Sequence, residues 1–218
     1  MSNHGLPHQI NIWIHIIAGI IAISFAVIIL IKTKGNKLHK KLGIIFLTFL
    51  AVVILTGLIG SIIIRGNPYL LVLTVLSGYY GFSGFRIIKT KSNIPEKLDI
   101  VIAIANLSLG IYFIDYLKSS VMFWNPIVIY STFGALFIII AYDFLRYLIP
   151  SSRYNNLWLY EHIYKMIAAF TALLAAAVGT FFPNHQPYSQ LFPSVIGTLL
   201  AIGFVALNYI RNIRKPKT

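Results

Sequence analysis

The stretch "LYEHIYKMIAAFTALLAAAVGTFF" (Leu159–Phe182) carries Glu161, His162 and Lys165 at the head of a run otherwise suited to hydrocarbon. Further ionisable residues of the same kinds stand near the ends of other apolar runs: His39, Arg86, Asp99 and Asp143. Three chemistries use such a set. A haem needs two axial histidines from facing helices, room for the ring and cations for its propionates. His39 and His162 could be the axial pair, with Gly43 and Ala169 leaving room and Lys40, Lys41 and Lys165 meeting the propionates. A divalent metal needs three or four N/O ligands. His39 and His162 would again serve, with Asp99, Asp143 or Glu161 as further ligands or as groups orienting them, and Arg86 and Lys165 as anion contacts. A proton relay needs acid, His and base groups facing a shared interior. The leading expectation is a His- and carboxylate-lined site that binds a metal ion or haem. The alternatives are a small proton-coupled transporter and an accessory membrane subunit whose polar residues only fix packing. No HExxH, paired HxxxH or nucleophile motif occurs, so no reaction type is readable.

The elements that must position these residues are set by composition. The chain is 58% hydrophobic and 11% charged, with a mean hydropathy of +0.80, far from a soluble domain. A spanning helix takes about 20 apolar residues. Seven such segments are predicted, roughly 10–31, 42–64, 69–88, 98–117, 126–148, 157–182 and 192–210, forming one all-α integral-membrane domain over 1–218. Short connections carry breakers: Gly35-Asn36, Gly66-Asn67-Pro68, Asn93-Ile94-Pro95, Asn125-Pro126, Pro150-Ser151-Ser152 and Pro183 through Pro187. The first run has no Lys or Arg before it and no small-x-small site after it, so it is expected as a retained helix rather than a signal peptide.

Net charge is +13, and its distribution argues against a nucleic-acid partner. With the N-terminus outside, 15 of the 18 basic residues fall on one side, Arg65 and Lys118 on the other, and Lys165 inside a helix. The positive-inside rule then makes the C-terminus cytoplasmic, with the basic rim against anionic lipid head groups. The expected location is a bacterial cytoplasmic membrane. There is no cysteine, which removes disulfides and thiolate ligands.

Small residues mark the faces on which membrane helices approach closely. His162, Lys165, Ala169, Ala172, Ala176 and Gly179 share one face by spacing, as do Asn11, His15, Ala18, Ala22 and Ala26. His39, Gly43, Gly57, Gly60 and Ser61 form a third row, and Asp99, Ala103, Asn106 and Gly110 a fourth. His15 is an outer-side histidine of unknown role, grouped with His4, His8 and His185; by helix rise it lies roughly 36 Å from His39. Plainer explanations exist for several charges. Glu161 and Lys165 suit an exposed i, i+4 pair with the lysine reaching for head groups. Asp143–Arg146 and Asp115–Lys118 suit local pairs, and Asp99 suits the positive end of a helix.

The motifs "HIIAG" (His15–Gly19), "HKKLG" (His39–Gly43), "GYYGFSGFR" (Gly78–Arg86), Leu98-Asp99, Asp143 and "EHIYKMIAAFTA" (Glu161–Ala172) resemble an uncharacterised family of bacterial polytopic membrane proteins close to domain-of-unknown-function family 2306. The resemblance covers nearly the whole chain. It implies a membrane protein with recurrent histidines and supplies no reaction.

Overall fold

The structure, a computed structural model, describes residues 5–63, 68–118 and 125–213. Seven α-helices follow one another: α1 (Leu6–Ile31), α2 (Lys37–Leu58), α3 (Pro68–Thr90), α4 (Lys97–Lys118), α5 (Pro126–Leu145), α6 (Ser151–Phe181) and α7 (Tyr188–Ile213). Among the described residues there is no strand, and seven helices are long and apolar enough to cross a membrane. His4, Arg65, Arg214, Lys215 and Lys217 lie outside the described residues, as do the side chains of Asp115 and Lys118.

Local chemistry sets the helix ends and, with them, the depth of the polar residues. Gly35, at φ 80°, takes the left-handed turn between α1 and α2 that side-chain-bearing residues resist. The Asn36 side chain then accepts from His39 N–H at 2.7 Å, capping α2 and fixing His39 in its first turn. At the start of α4, Asp99 reaches back to Glu96 N–H at 3.0 Å, the acid half of a capping box. Four helices, α1, α2, α6 and α7, begin several residues earlier than the expected segments. α6 begins at Ser151 because Pro150 stands at its N-cap. α7 begins at Tyr188 and carries Pro193 inside it, so the proline does not open the helix. α2 ends in a π-helical turn, Ile59–Ile63.

α3 and α6 form the centre, packed most closely on one another, with α1–α2 on one flank and α7 on α6. Ala18, Ala22 and Ala26 of α1, Phe46 and Leu50 of α2, Tyr79 and Tyr80 of α3, Ala103 of α4, Leu136 and Ile140 of α5, and Ala169 and Ala172 of α6 share one core. Large apolar residues such as Trp13, Ile20, Ile111, Leu199 and Ile202 are exposed. On an apolar helix those positions suit lipid.

Two glycines set the closest approaches. A Cβ on Gly84 would lie 2.9 Å from Lys165 Cβ, so glycine is what lets α3 sit against α6 at the level of the lysine. A Cβ on Gly197 would overlap Thr171, which fixes α7 on α6. Gly43 and Gly203 face open space. Gly84→Ala and Gly197→Ala should each cost about 1–3 kcal/mol through overpacking. Gly43→Ala and Gly203→Ala should be neutral or stabilise by about 0.5–1 kcal/mol through helix propensity. Thermal unfolding in detergent separates the two pairs; equal behaviour of all four would refute the assigned close contacts.

Candidate functional site

Four charged side chains, from α5, the turn that follows it and α6, meet inside the bundle. Lys165 Nζ of α6 lies 2.5 Å from Asp143 Oδ1 of α5 and 3.7 Å from Glu161 Oε2 one turn back. Arg146, in the short 3₁₀ turn that follows α5, lies 3.1 Å from Glu161 Oε2 and 3.7 Å from Asp143 Oδ1. Two phenols complete the set: Tyr79 of α3 donates to Asp143 Oδ2 at 2.8 Å, and Tyr142 of α5 donates to Glu161 Oε1 at 2.5 Å. Two acids and two bases leave the group neutral. Each of their carboxylate oxygens has a donor.

Burial distinguishes this group from a surface pair. Lys165 is 0% exposed, Arg146 5%, Glu161 7% and Asp143 8%. Lys165 lies eight residues into the apolar span Leu157–Phe181, about 12 Å of helix. Its ammonium therefore does not reach for head groups. Glu161 and Lys165 do form an i, i+4 pair, but as part of a buried four-charge set rather than an exposed interfacial one. The local explanation of Asp143–Arg146 also changes, because Arg146 is closer to Glu161.

A second ion-pair group closes the neighbouring helix end. Arg86 Nε of α3 donates to Asp99 Oδ1 of α4 at 2.9 Å, and its Nη2 pairs with Glu96. Arg86 and Lys165, offered by the sequence to an external anion, thus hold carboxylates of their own chain. Asp99 accepts from Arg86 as well as from the Glu96 N–H.

The histidines do not join either group. His162 Nδ1 lies 2.9 Å from Gly84 O, and because a carbonyl only accepts, this nitrogen carries the proton. That tautomer leaves the Nε2 lone pair uncommitted. His39 Nδ1 is buried without a partner, and the two imidazoles lie within electrostatic reach of one another. Ala169, expected to leave room for a ring, is instead fully buried, its carbonyl accepting from Ser77 Oγ at 3.0 Å. Gly43 faces open space. On the opposite side, His15 Nδ1 lies 2.9 Å from Thr56 Oγ1, whose hydroxyl is committed to Val52 O at 2.7 Å. Asn11 donates to Thr56 O at 3.0 Å. His15 therefore ties α1 to α2 just before the π-turn.

The acids expected as metal ligands are engaged by bases of the same chain. Asp143 and Glu161 are neutralised by Lys165 and Arg146, and Asp99 by Arg86. Among the described residues no three His, Asp or Glu side chains gather as ligands. No family model, curated protein or solved structure matches the chain. The sequence pointed to Asp143, Glu161 and Lys165 but passed over Tyr79, Tyr142 and Glu96, and read Arg146 only as a local partner. The spacing Tyr142–Arg146, i and i+4 on one face, was the available signal.

Removing one member of a buried pair strands a charge and costs about 3–5 kcal/mol, whereas neutralising both is often nearly free. Lys165→Met alone should therefore destabilise the protein by about that amount. Asp143→Asn together with Lys165→Met should recover most of the loss, since the amide oxygen introduced at that position would still accept from Tyr79. Unfolding of the two single variants and the double variant measures the coupling. Strictly additive effects would rule it out.

Proposed function

We propose that the chain is a small proton-coupled transporter whose transfer site is the Asp143–Arg146–Glu161–Lys165 group. The observation that carries this is the fully buried Lys165 ammonium held between two carboxylates inside an apolar span. Ionisable groups in a membrane interior are costly, and pairs of them lining a bundle mark ion pathways and proton relays. Tyr79 and Tyr142 add hydroxyls that can pass a proton to or from the carboxylates they touch. Gain of one proton at Asp143 or Glu161 unbalances the neutral group and changes which helix Lys165 is held to. That exchange is a means of coupling protonation to movement of α5 against α6.

The orientation in this proposal is N-terminus outside and C-terminus cytoplasmic, in a bacterial cytoplasmic membrane. Lys32, Lys34, Lys37, Lys40, Lys41, Lys89, Lys91, Lys97, Arg153 and Arg211 cluster at the helix ends that would share the cytoplasmic side. Anionic head groups are the matching partner for that rim. The buried group lies toward the same side.

One observation favours a second function, haem binding. His39 Nδ1 has no partner, His162 keeps Nε2 uncommitted, and the two rings are within electrostatic reach. A Nδ1–H bonded to a backbone carbonyl also orients a histidine for ligation through its other nitrogen. Haem bound there would supply one-electron transfer. His39 and His162 would hold its iron, with Lys40 and Lys41 nearby for the propionates.

Purified protein in vesicles with an internal pH dye tests the first proposal. Under an imposed potential, wild-type vesicles should change internal pH faster than protein-free ones. The Asp143→Asn/Lys165→Met variant should lose that difference while retaining its fold. Wild-type vesicles no faster than empty ones, or a double variant equal to wild type, would reject transport through this site; the latter result would leave the four charges as packing groups. An absorption spectrum tests the second proposal: a Soret band lost in both His39→Ala and His162→Ala supports it, and a featureless visible spectrum ends it.

A further inference from the structure

Between α3, α4 and α5 lies a small, partly open cavity lined by Ser83, Arg86, Asp99, Ala103, Asp143 and Arg146, among others. It touches both ion-pair groups. Asp143 and Arg146 belong to the buried four-charge set, and Arg86 and Asp99 to the pair at the helix end whose third member, Glu96, is exposed. Two of its lining residues have buried polar atoms without hydrogen-bond partners, Ser83 Oγ and Arg146 Nε. Buried polar atoms of this kind are almost always satisfied in folded proteins, and water is the commonest missing partner. Arg146 is 5% exposed, so bulk water does not meet the need.

Volume and charge then select the occupant. The cavity leaves about 20 Å³ for the centre of a water-sized sphere, and one water needs roughly 10–15 Å³ by that measure. Arg146 Nε–H can only donate, and the Ser83 hydroxyl can donate or accept. An occupant must therefore offer an acceptor. The lining holds two cations and two carboxylates, Arg86 and Arg146 with Asp99 and Asp143, so a bound anion would face two negative groups at close quarters. A neutral molecule that accepts from Arg146 and donates to a carboxylate satisfies all of them.

We infer that this cavity holds one ordered water, bonded to Arg146 Nε and Ser83 Oγ, that joins the Arg86–Asp99–Glu96 group to the Asp143–Lys165–Glu161–Arg146 group. Building on the proton-transfer function proposed above, it is the step by which a proton passes between the exposed helix end and the buried site. The balance is simple. The water takes a proton from protonated Asp99 and gives its other proton to the Asp143 carboxylate. Asp99 becomes a carboxylate, Asp143 a carboxylic acid, and the water is regenerated in the opposite orientation. Ser83 and Arg146 are positioning residues that hold the water between the two acids.

The presence of the water and its role are tested separately. In an experimental structure of the full chain in lipid, at a resolution that resolves ordered solvent, a single peak should lie within hydrogen-bond distance of both Ser83 Oγ and Arg146 Nε. An empty cavity, or a peak with the scattering of chloride or another ion, would overturn the water site. For the role, Ala103→Val adds two methyl groups to the cavity wall without removing a polar group, whereas Ser83→Ala keeps the space and removes one partner. In the vesicle assay, Ala103→Val should fall to the rate of protein-free vesicles, and Ser83→Ala, which loses one partner of the water, should fall part of the way. Both are first confirmed as folded by thermal unfolding. A folded Ala103→Val variant that moves protons like wild type would overturn the relay. If wild-type protein moves no protons at all, the transport function and the relay fall together, while the water site is decided by the density alone.

Discussion

A lysine ammonium with no exposed surface inside an apolar helix must be neutralised within hydrogen-bond distance. Much of the bundle around it follows from that requirement. Lys165 draws Asp143 of α5 to 2.5 Å and keeps Glu161 of its own helix at 3.7 Å. Each carboxylate is further satisfied, by the Tyr79 and Tyr142 hydroxyls and by Arg146. The result is a neutral group tying α3, α5 and α6 together at one depth. Gly84 supports it by letting α3 approach Lys165 closely, and its carbonyl fixes His162 on the next face.

The scarcity of acid in this chain sharpens the point. There are five acidic residues against 18 basic ones. Four of the five, Glu96, Asp99, Asp143 and Glu161, are held by Arg86, Arg146 and Lys165. The excess positive charge is left to side chains at the helix ends, where water and anionic lipid can accommodate it. Charge is therefore divided by environment: neutral sets inside, cations at the rim.

The helical architecture was legible because hydrocarbon demands long apolar runs and tolerates little else. Individual faces were legible too. Ala18, Ala22 and Ala26, and Ala169 and Ala172, are buried as their spacing requires. Which faces meet was not legible. Periodicity says that Asp143 and Arg146 share a side of the fifth apolar run and that Glu161 and Lys165 share a side of α6. It does not say that the two pairs interlock, so the acids looked free to bind a metal. The position of Gly84 opposite Lys165, the commitment of His162 to a carbonyl, and the cavity at Ser83 all depend on helix packing across gaps of tens of residues. The shifted starts of α6 and α7 have a local cause. Proline reads as a breaker by residue type, but Pro150 caps its helix and Pro193 sits within one.

The buried, internally paired state of Lys165 is the claim on which the rest depends, and amine labelling in native membranes measures it directly. A membrane-permeant reagent followed by mass spectrometry should modify Lys40 and Lys41, which are exposed at the start of α2. Lys165 should stay unmodified until the protein is unfolded. Modification of Lys165 in the folded protein at a rate matching Lys40 and Lys41 would mean that its ammonium reaches water, and would contradict the account.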